Sequence, residues 1–492
     1  TAVGLMSFAF QSFQTCVQAI EFFDTAQHIG TDGDLLQTGL EFERYRLLLW
    51  SDRVGLGQAE KHGVNWQLAN SLLEQLVFSL TSASKLRERY SLEVDGETVT
   101  AEEGRRALAA SAQVPKQGVR RLIDHLRPTI HTTAGSIIQS NNSAIKRLRW
   151  ASRDKNKLQQ YLAIIKKLID NLEFLLDEAD RKTDKNNYNR FLRDLVSLSH
   201  STDEAGTIEQ LLGQGSHESD VSEEAIRAAA HVKQVRLVLS ADKREDEESS
   251  RSHRKAPGFM PTLRKLKYKN LQSCPGTELR RSGIELARYQ NETVLIQWKI
   301  AEGTEWEKYK IQTKCLAVML MSLDHESFRS LRCVGSFGKE DIGRHGIVFA
   351  VPQNSYDLEL TTLQQLIATV SCANLARRLE IGRIIAEAVL QLHTGGWMHK
   401  SLRPENVVFL ARKGSEPADI LQSEPFLVGF EYARRDSPES AQAFTQLPEG
   451  HLAEDLYRHP QAQGVQRETY QKRFDMYALA CILVELTAWK PL

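Results

Sequence analysis

The first half of the chain repeats apolar residues at the spacing of an α-helix. Between residues 8 and 23 these positions fall on one helical face, and residues 35–50 and 66–80 have the same period. The pattern is clearest over residues 157–176, where apolar positions line one side and Lys and Asp residues occupy the other. Runs that alternate apolar and polar residues, as strands do, are few before residue 290. The pattern therefore predicts an all-α helical bundle over residues 1–212.

The second half mixes the periods of helices and strands. Residues 407–410 form a short apolar run that is typical of a buried strand, and residues 379–393 have helical spacing. Between the two halves, an acidic run at residues 242–248 precedes a basic stretch that contains prolines. Such a composition is typical of a flexible charged linker. We therefore expect a multidomain chain, with a charged connector over residues 213–285 and an α+β domain over residues 286–492.

Composition narrows the classes of function. The 492 residues carry 63 basic and 63 acidic side chains, so the formal net charge is zero and no nucleic-acid partner is expected. The six cysteines lie mostly in apolar runs without C-x-x-C spacing, which favours unpaired thiols in a reducing cytosol and no metal site. The chain has no run of about 18 apolar residues, and its first residues lack a basic signal-peptide region. A cytoplasmic protein is therefore expected.

Residues 399–406 carry the most specific motif of the chain. Their sequence, H-K-S-L-R-P-E-N, resembles the catalytic loop of the protein kinases, H-R-D-L-x-P-x-N. In that family the Asp accepts the proton of the substrate hydroxyl, whereas this position is Ser401 here. A serine hydroxyl does not act as a carboxylate base near neutral pH. The resemblance implies a protein-kinase-like fold. His399, Arg403 and Asn406 belong to its catalytic loop, and Ser401 stands where the catalytic base would be.

A second segment carries the same resemblance. Residues 426–434, F-L-V-G-F-E-Y-A-R, are similar to the family's K-L-A-D-F-G-L-A-R. The magnesium-binding Asp then falls on Gly429, the Phe on Phe430, and the last Gly of D-F-G on Glu431. The run that begins at Asp475 resembles the start of the family's helix F, whose Asp braces the catalytic loop. The resemblance therefore implies a bilobal domain with a degenerate magnesium site.

The residues that the kinase resemblance assigns to ATP are incomplete. Residues 294–299 resemble the strand that carries the family's phosphate-binding lysine, which corresponds to Lys299. The next helix, expected over residues 311–323, has no acidic residue to pair with it, and residues 270–293 lack G-x-G-x-x-G. Lys299 is therefore either a retained nucleotide-binding residue or a solvated lysine near the end of a strand. No cofactor is required, and any ATP is expected to bind weakly.

The N-terminal bundle has a resemblance of its own. Residues 15–24 and 42–51 resemble the start of the HeLo domain of fungal incompatibility and prion-associated proteins, and residues 148–158 resemble its R-W-x-x-x-D-K-x-K-F segment. That family is associated with permeabilising membranes after activation. The resemblance implies that the first helix acts on membranes through its large apolar residues, which are Phe8, Phe13, Val17, Ile20 and Phe23. The alternative is that these side chains belong to the core of the bundle.

A related helical domain precedes the pseudokinase of mixed lineage kinase domain-like proteins, and the order of domains is the same here. We therefore predict a cell-death signalling protein in which a pseudokinase controls a membrane-acting bundle, in an incompatibility or necroptosis-like response. The expected partners are membrane lipids on activation, an upstream regulatory protein or kinase, and further copies of the chain. Activation is expected to move the protein to the plasma membrane.

Two alternatives stay open. One is an atypical active Ser/Thr kinase, which the retained Lys299 and Asn406 favour. The other is a non-lytic scaffold, in which both domains only assemble partners.

Overall fold

The chain divides into two compact units, Thr1–Arg227 and Ala228–Leu492. The structure, a computed structural model, describes the following residues: 2–24, 31–56, 64–82, 118–126, 155–213, 221–248, 258–274, 283–300, 306–352, 358–371, 373–436, 455–464 and 467–492.

The first unit is helical. Its described helices are α1 (Ala2–Asp24), α2 (Thr31–Arg53), α3 (Trp66–Thr81), α4 (Gly118–Leu126), α5 (Lys155–Glu173), α6 (Glu178–Leu198) and α7 (Thr202–Leu212), and α8 (Val221–Glu248) begins in this unit. The four helices that the sequence pattern predicts correspond to α1, α2, α3 and α5. The prediction of an N-terminal helical region is therefore confirmed for the described residues.

The core of the first unit lies between α1, α2, α3 and α5. Phe13, Trp50 and Tyr161 are its largest fully buried side chains. The apolar stripe predicted in the fourth helix is buried at every position except Leu162, which is half-buried. Local sequence also sets helix starts: Ser201 and Glu204 form a capping box at the start of α7, which typically contributes about 1 kcal/mol.

The second unit combines antiparallel sheets with helices. A five-stranded sheet has the order β1-β2-β3-β5-β4. Its strands are β1 (Leu271–Ser273), β2 (Ile284–Tyr289), β3 (Glu292–Ile300), β4 (Cys333–Lys339) and β5 (Arg344–Ala350). Helix α9 (Trp306–Ser322) packs on β4 and β5 and begins five residues before the predicted start at residue 311.

The rest of the second unit positions two loops side by side. It contains β6 (Leu358–Thr362), α10 (Leu363–Thr369), α11 (Leu375–Thr394), β7 (Trp397–Met398), β8 (Val407–Arg412), α12 (Pro417–Ile420), β9 (Pro425–Leu427), β10 (Arg434–Arg435) and α13 (Lys472–Ala488). Strand β7 pairs with β10, and β8 pairs with β9. The β7–β8 loop, residues 399–406, therefore lies next to the β9–β10 loop, residues 428–433.

Much of the expected connector, residues 213–285, is folded. Residues 221–248 form α8, a helix of 28 residues, and the acidic run at 242–248 lies in its last turns. The boundary between the two units falls at Arg227, within this helix. Four apolar residues at helical spacing join the core of the second unit: Ala229, Val232, Val235 and Leu239. The expectation of a flexible charged linker is therefore wrong for the acidic run at 242–248, which is helical, and residues 221–241 of the expected connector form the rest of the same helix.

Candidate functional site

A buried carboxylate holds the start of the 399–406 loop. Asp475, fully buried in the first turn of α13, accepts the backbone N–H groups of His399 at 2.8 Å and Lys400 at 2.9 Å. His393 Nε2 lies at 3.0 Å, and the Tyr470 hydroxyl donates at 2.7 Å. Burial acts to raise the pKa of Asp475, but the hydrogen bond from His393 and the other nearby donors outweigh it and leave this pKa lowered. Asp475 is therefore an ionised group that positions the loop backbone.

His399 and Lys400 face the interior. Burial lowers the pKa of His399 to about 4, so its imidazole is neutral at pH 7, and its ring lies 4.6 Å from that of Phe430. Lys400 has a left-handed backbone with φ of 68°, which is uncommon for a residue other than glycine. Its ammonium lies 5.0 Å from the centre of the Tyr470 ring, and burial lowers its pKa to about 7. His399 is thus a neutral, buried side chain that packs on Phe430, and Lys400 packs on Tyr470.

Ser401, Asn406 and Gly429 pack against one another. Asn406 Nδ2 donates to the Ser401 carbonyl at 2.7 Å and to its hydroxyl at 3.0 Å. Gly429 has φ of 84°, and a Cβ on it would lie 2.3–2.8 Å from the Asn406 side chain. A carboxylate-bearing residue at 429 would therefore displace Asn406. Arg403, the other motif residue, pairs with Glu405, with 3.2 Å between Nε and Oε2.

Lys299 is held by the β9–β10 loop. Its Nζ donates to the Glu431 carbonyl at 3.0 Å and lies 5.1 Å from the centre of the Tyr309 ring. Beside it, Gln297 Nε2 donates to the Glu431 carboxylate, and the Phe430 N–H donates to Gln297 Oε1 at 3.3 Å. Burial lowers the pKa of Lys299 to about 8. Lys299 is therefore a partly buried lysine near the end of β3 whose ammonium binds the backbone of its own chain.

Helix α9 does not supply the acidic partner that active kinases use. Its one acidic residue, Glu307, is exposed and pairs with Lys310 at 2.6 Å. The residue of α9 that faces Lys299 is Tyr309, and sequence reasoning missed it because the contact depends on where the helix begins. Among the described residues, no group of three or more His, Cys, Asp or Glu side chains is arranged to hold a metal ion.

The five residues expected to act on membranes do not share one environment. Phe13, Val17 and Ile20 are buried in the bundle core, each at most 1% exposed. Phe8 is 47% exposed on the same helix, and Leu5 is 41% exposed one turn earlier. The side chain of Phe23 lies outside the described residues, as do residues 148–154 of the segment similar to R-W-x-x-x-D-K-x-K-F. Helix α1 therefore has a buried apolar face and an exposed apolar start.

In the part of the chain that the structure describes, none of the helices combines the length and the apolar character that a membrane crossing needs.

A buried ionic network ties α2 to α5. Arg46 contacts Glu43 at 2.9 Å, Asp170 at 2.5 Å and Glu173 at 2.7 Å. Glu43 is 5% exposed, and burial raises its pKa to about 7 against the lowering effect of Arg46. Sequence reasoning missed this network, although the Glu43–Arg46 spacing of three residues on a helix was a signal for the local pair.

Comparisons with known proteins concern the N-terminal part of the chain. The family model HeLo, described as prion-inhibition and propagation, matches residues 1–203. Heterokaryon incompatibility protein S of Podospora anserina is 25% identical over 205 residues, which is 40% of this chain and 66% of the relative. Heterokaryon incompatibility protein s of the same species is 24% identical over 167 residues, which is 33% of this chain and 53% of the relative.

The chain thus matches less than two thirds of the length of either relative. The helices α1 to α6 and the start of α7 all lie within the range of the family match. The first 203 residues of the chain are therefore a HeLo domain, with homology to the heterokaryon incompatibility proteins of Podospora.

Proposed function

We propose that the chain is a cell-death signalling protein of the incompatibility type, in which the HeLo domain acts on membranes and a catalytically inert kinase-like domain restrains it. The observation that carries the first part is the division of α1. Leu5 and Phe8 are exposed, whereas Phe13, Val17 and Ile20 are core residues. Leu5 and Phe8 can contact lipid while the bundle is intact. The rest of α1 can insert only if Phe13, Val17 and Ile20 leave the core of the bundle.

The energies favour a resting state that needs a trigger. Fully burying one large apolar side chain contributes about 1.5–3 kcal/mol, so three core residues of α1 contribute an amount comparable with the net stability of a whole domain. Once the helix is released, transfer of the same side chains into lipid would contribute a similar free energy. The two states can therefore be close in free energy, and a modest change in the second unit can shift their populations.

The kinase-like assignment of the second unit rests on the motifs and on where the chain places them. The 399–406 and 428–433 loops lie next to each other. Lys299 contacts the 428–433 loop, and Asp475 contacts the 399–406 loop. The corresponding parts of a protein kinase also lie together. Catalytic inertness is proposed because Ser401 replaces the base, and because Gly429 contacts Asn406 where a metal-binding carboxylate would stand. In addition, Lys299 is engaged by Glu431.

A phosphotransfer assay tests the inert assignment. Purified chain incubated with radiolabelled ATP, magnesium and a general protein substrate should incorporate no more phosphate than the Lys299→Met variant. ATP should stabilise the chain weakly, if at all, and to the same extent with and without magnesium in a thermal-shift titration. Incorporation that the Lys299→Met variant abolishes would instead support the atypical kinase.

Vesicle binding tests the membrane assignment. Residues 1–227, which form the first compact unit, should co-sediment with phosphatidylserine-containing vesicles, with circular dichroism confirming that the fragment is helical. A folded fragment that stays in the supernatant at every lipid composition would favour the scaffold. The partners proposed on activation are therefore anionic lipids, further copies of the chain and an upstream regulatory protein.

A further inference from the structure

Helix α8 lies against the turn that joins α11 to β7, and two glycines make this approach possible. A Cβ on Gly395 would lie 2.9 Å from Val232 Cγ1, and one on Gly396 would lie 2.6 Å from Arg236 Nη1. Gly396 also has φ of 78°, a conformation that glycine adopts at little cost. Gly395 has an ordinary helical φ of −69°, so its backbone conformation does not require glycine. The close contact with Val232 is what leaves little room for a side chain there.

Arg236 joins this turn to the segment that follows the degenerate metal position. Its guanidinium, in a side chain only 9% exposed overall, donates to the Asp436 carbonyl. The Asp436 N–H donates to the Gly396 carbonyl at 2.9 Å, and the Asp436 carboxylate pairs with Lys472 at 2.9 Å. The positions of α8, the α11–β7 turn and residues 434–436 are therefore linked through one buried arginine.

The same stretch of α8 is part of the apolar core of the second unit. Val232 and Val235 are fully buried in one cluster with Trp397 of β7. Because Val221–Glu248 is one continuous helix, and its residues up to Arg227 belong to the first unit, the same helix that begins in the first unit also makes this contact.

We propose that the contact of residues 229–239 with the Gly395–Gly396 turn and Asp436 is a regulatory contact, which keeps the chain in its membrane-inactive state. The inference rests on the proposed function above and names how the second unit acts. If a partner or a modification moves residues 434–436, Arg236 loses the Asp436 carbonyl as an acceptor at a largely buried position, and losing a hydrogen bond to a buried charged group is costly. The helix and the segment therefore change position together, and α8 is freed from the turn.

Hydrogen exchange on the full chain tests the contact itself. The Arg236→Ala variant removes the donor, and Gly395→Ala places a methyl group against Val232 without backbone strain. Both should raise exchange by about ten- to a hundredfold in residues 229–239 and 434–436, because Arg236→Ala removes a hydrogen bond from a charged group and Gly395→Ala opens the packed contact. The matched controls are Arg227→Ala, which changes an exposed arginine of the same helix, and Gly258→Ala, where a Cβ meets nothing within 4 Å. Both controls should exchange like the parent chain.

A rescue variant separates undocking from general misfolding. The Gly395→Ala/Val232→Ala double variant removes the valine methyl group that the new side chain would meet. Because Val232→Ala alone also removes buried apolar area from this contact, the double variant should exchange no faster than the Val232→Ala single variant. In dye release from phosphatidylserine-containing vesicles, Arg236→Ala and Gly395→Ala in the full chain should release several-fold more dye than the parent, and the double variant should release no more than Val232→Ala.

Each result is decisive. Unchanged exchange in both single variants overturns the proposal, because these contacts then do not hold the helix. Faster exchange without added dye release also overturns the regulatory contact. In that case the proposed membrane function still stands if residues 1–227 alone release dye. If residues 1–227 release no dye, the membrane function fails, and the regulatory contact falls with it. A double variant that exchanges faster than the Val232→Ala single variant would identify misfolding as the cause of the Gly395→Ala effect and contradict the proposal.

Discussion

Gly429 and Asn406 pack so closely that position 429 has no room for a side chain. The Asn406 amide turns toward Ser401, and the space next to it is open only because residue 429 has no Cβ. An aspartate at 429, the residue found in the kinase motif, would therefore overlap the Asn406 side chain. Under the proposed kinase-like assignment, Gly429→Asp alone is not expected to create a metal site.

Alanine at position 429 should be more costly than alanine at a glycine with the same backbone. Gly414 has φ of 80°, and a methyl group added there would meet nothing within 4 Å, whereas Gly429 has φ of 84° and the Asn406 contact. Both substitutions incur backbone strain of about 1 kcal/mol, and Gly429→Ala should add about 1–3 kcal/mol of steric overlap. Urea unfolding of the two variants measures the difference. Equal losses in the free energy of unfolding would contradict the packing described for Gly429.

Glu43 should make the HeLo domain less stable as the pH rises from about 4.5 to about 7. Burial raises its pKa from 4.5 to about 7, although Arg46 and Lys166 act to lower it, and Asp170 and Glu173 add to the rise. The folded state therefore holds this proton where the unfolded state has released it, so the free energy of unfolding falls by something on the order of 3 kcal/mol across that window.

The Glu43→Gln variant should lack this part of the pH dependence. The measurement is urea unfolding of residues 1–227 at a series of pH values, with Glu74→Gln, an exposed carboxylate of α3, as the matched control. Asp184, whose pKa burial raises to about 6, remains in the variant and leaves a smaller slope of the same sign. Parallel curves for the parent and Glu43→Gln would show that folding does not raise the pKa of Glu43, which contradicts the prediction.

Elements with one strong apolar period were predictable from the sequence, and elements that bury charges were only partly so. The predicted helices at 8–23 and 157–176 correspond to α1 and α5 because their apolar stripes match the core that they enter. Helix α2 is longer than predicted and buries Glu43 and Arg46, a pair that a pattern of apolar residues does not register. The acidic run at 242–248 likewise predicts a linker from its charges alone, whereas it forms the last turns of α8, a helix with a buried apolar face.

The candidate site was predictable in its residues but not in its contacts. Sequence motifs single out Ser401, Gly429 and Lys299 because these positions depart from or match a known pattern. The contacts of Lys299 with Tyr309 and Glu431 could not be read in the same way. Glu431 is distant from Lys299 in the sequence. A local sequence pattern therefore does not predict that Lys299 donates to the Glu431 carbonyl.

At the scale of one helix, Phe8 should contribute to membrane binding without contributing much to the bundle. Because Phe8 is 47% exposed, Phe8→Glu should keep the helicity of residues 1–227. Transfer of one phenylalanine into lipid contributes about 2 kcal/mol, so vesicle binding should weaken by at least about tenfold. Phe78→Glu on α3, where the phenylalanine is 55% exposed, is the matched control and should bind nearly as well as the parent. Equal losses in both variants would contradict a specific role for the start of α1.

At the scale of the whole molecule, a HeLo domain is joined to a second unit of antiparallel sheets and helices. The HeLo domain buries Phe13, Val17 and Ile20, so the membrane action proposed for it requires a change of conformation. In the second unit, Lys299 and Asn406 are hydrogen-bonded to their own chain, which agrees with the proposed role of this unit in control and not in catalysis. Removing the second unit should therefore activate the first.

Dye release from phosphatidylserine-containing vesicles tests this control most directly, with residues 1–227 and the full chain compared at equal concentration. Circular dichroism and light scattering should first establish that both proteins are folded and not aggregated. We predict that residues 1–227 release the encapsulated dye rapidly, and that the full chain releases several-fold less. Equal release by the two proteins would contradict control by the second unit, and vesicles left intact by both would contradict the membrane function itself.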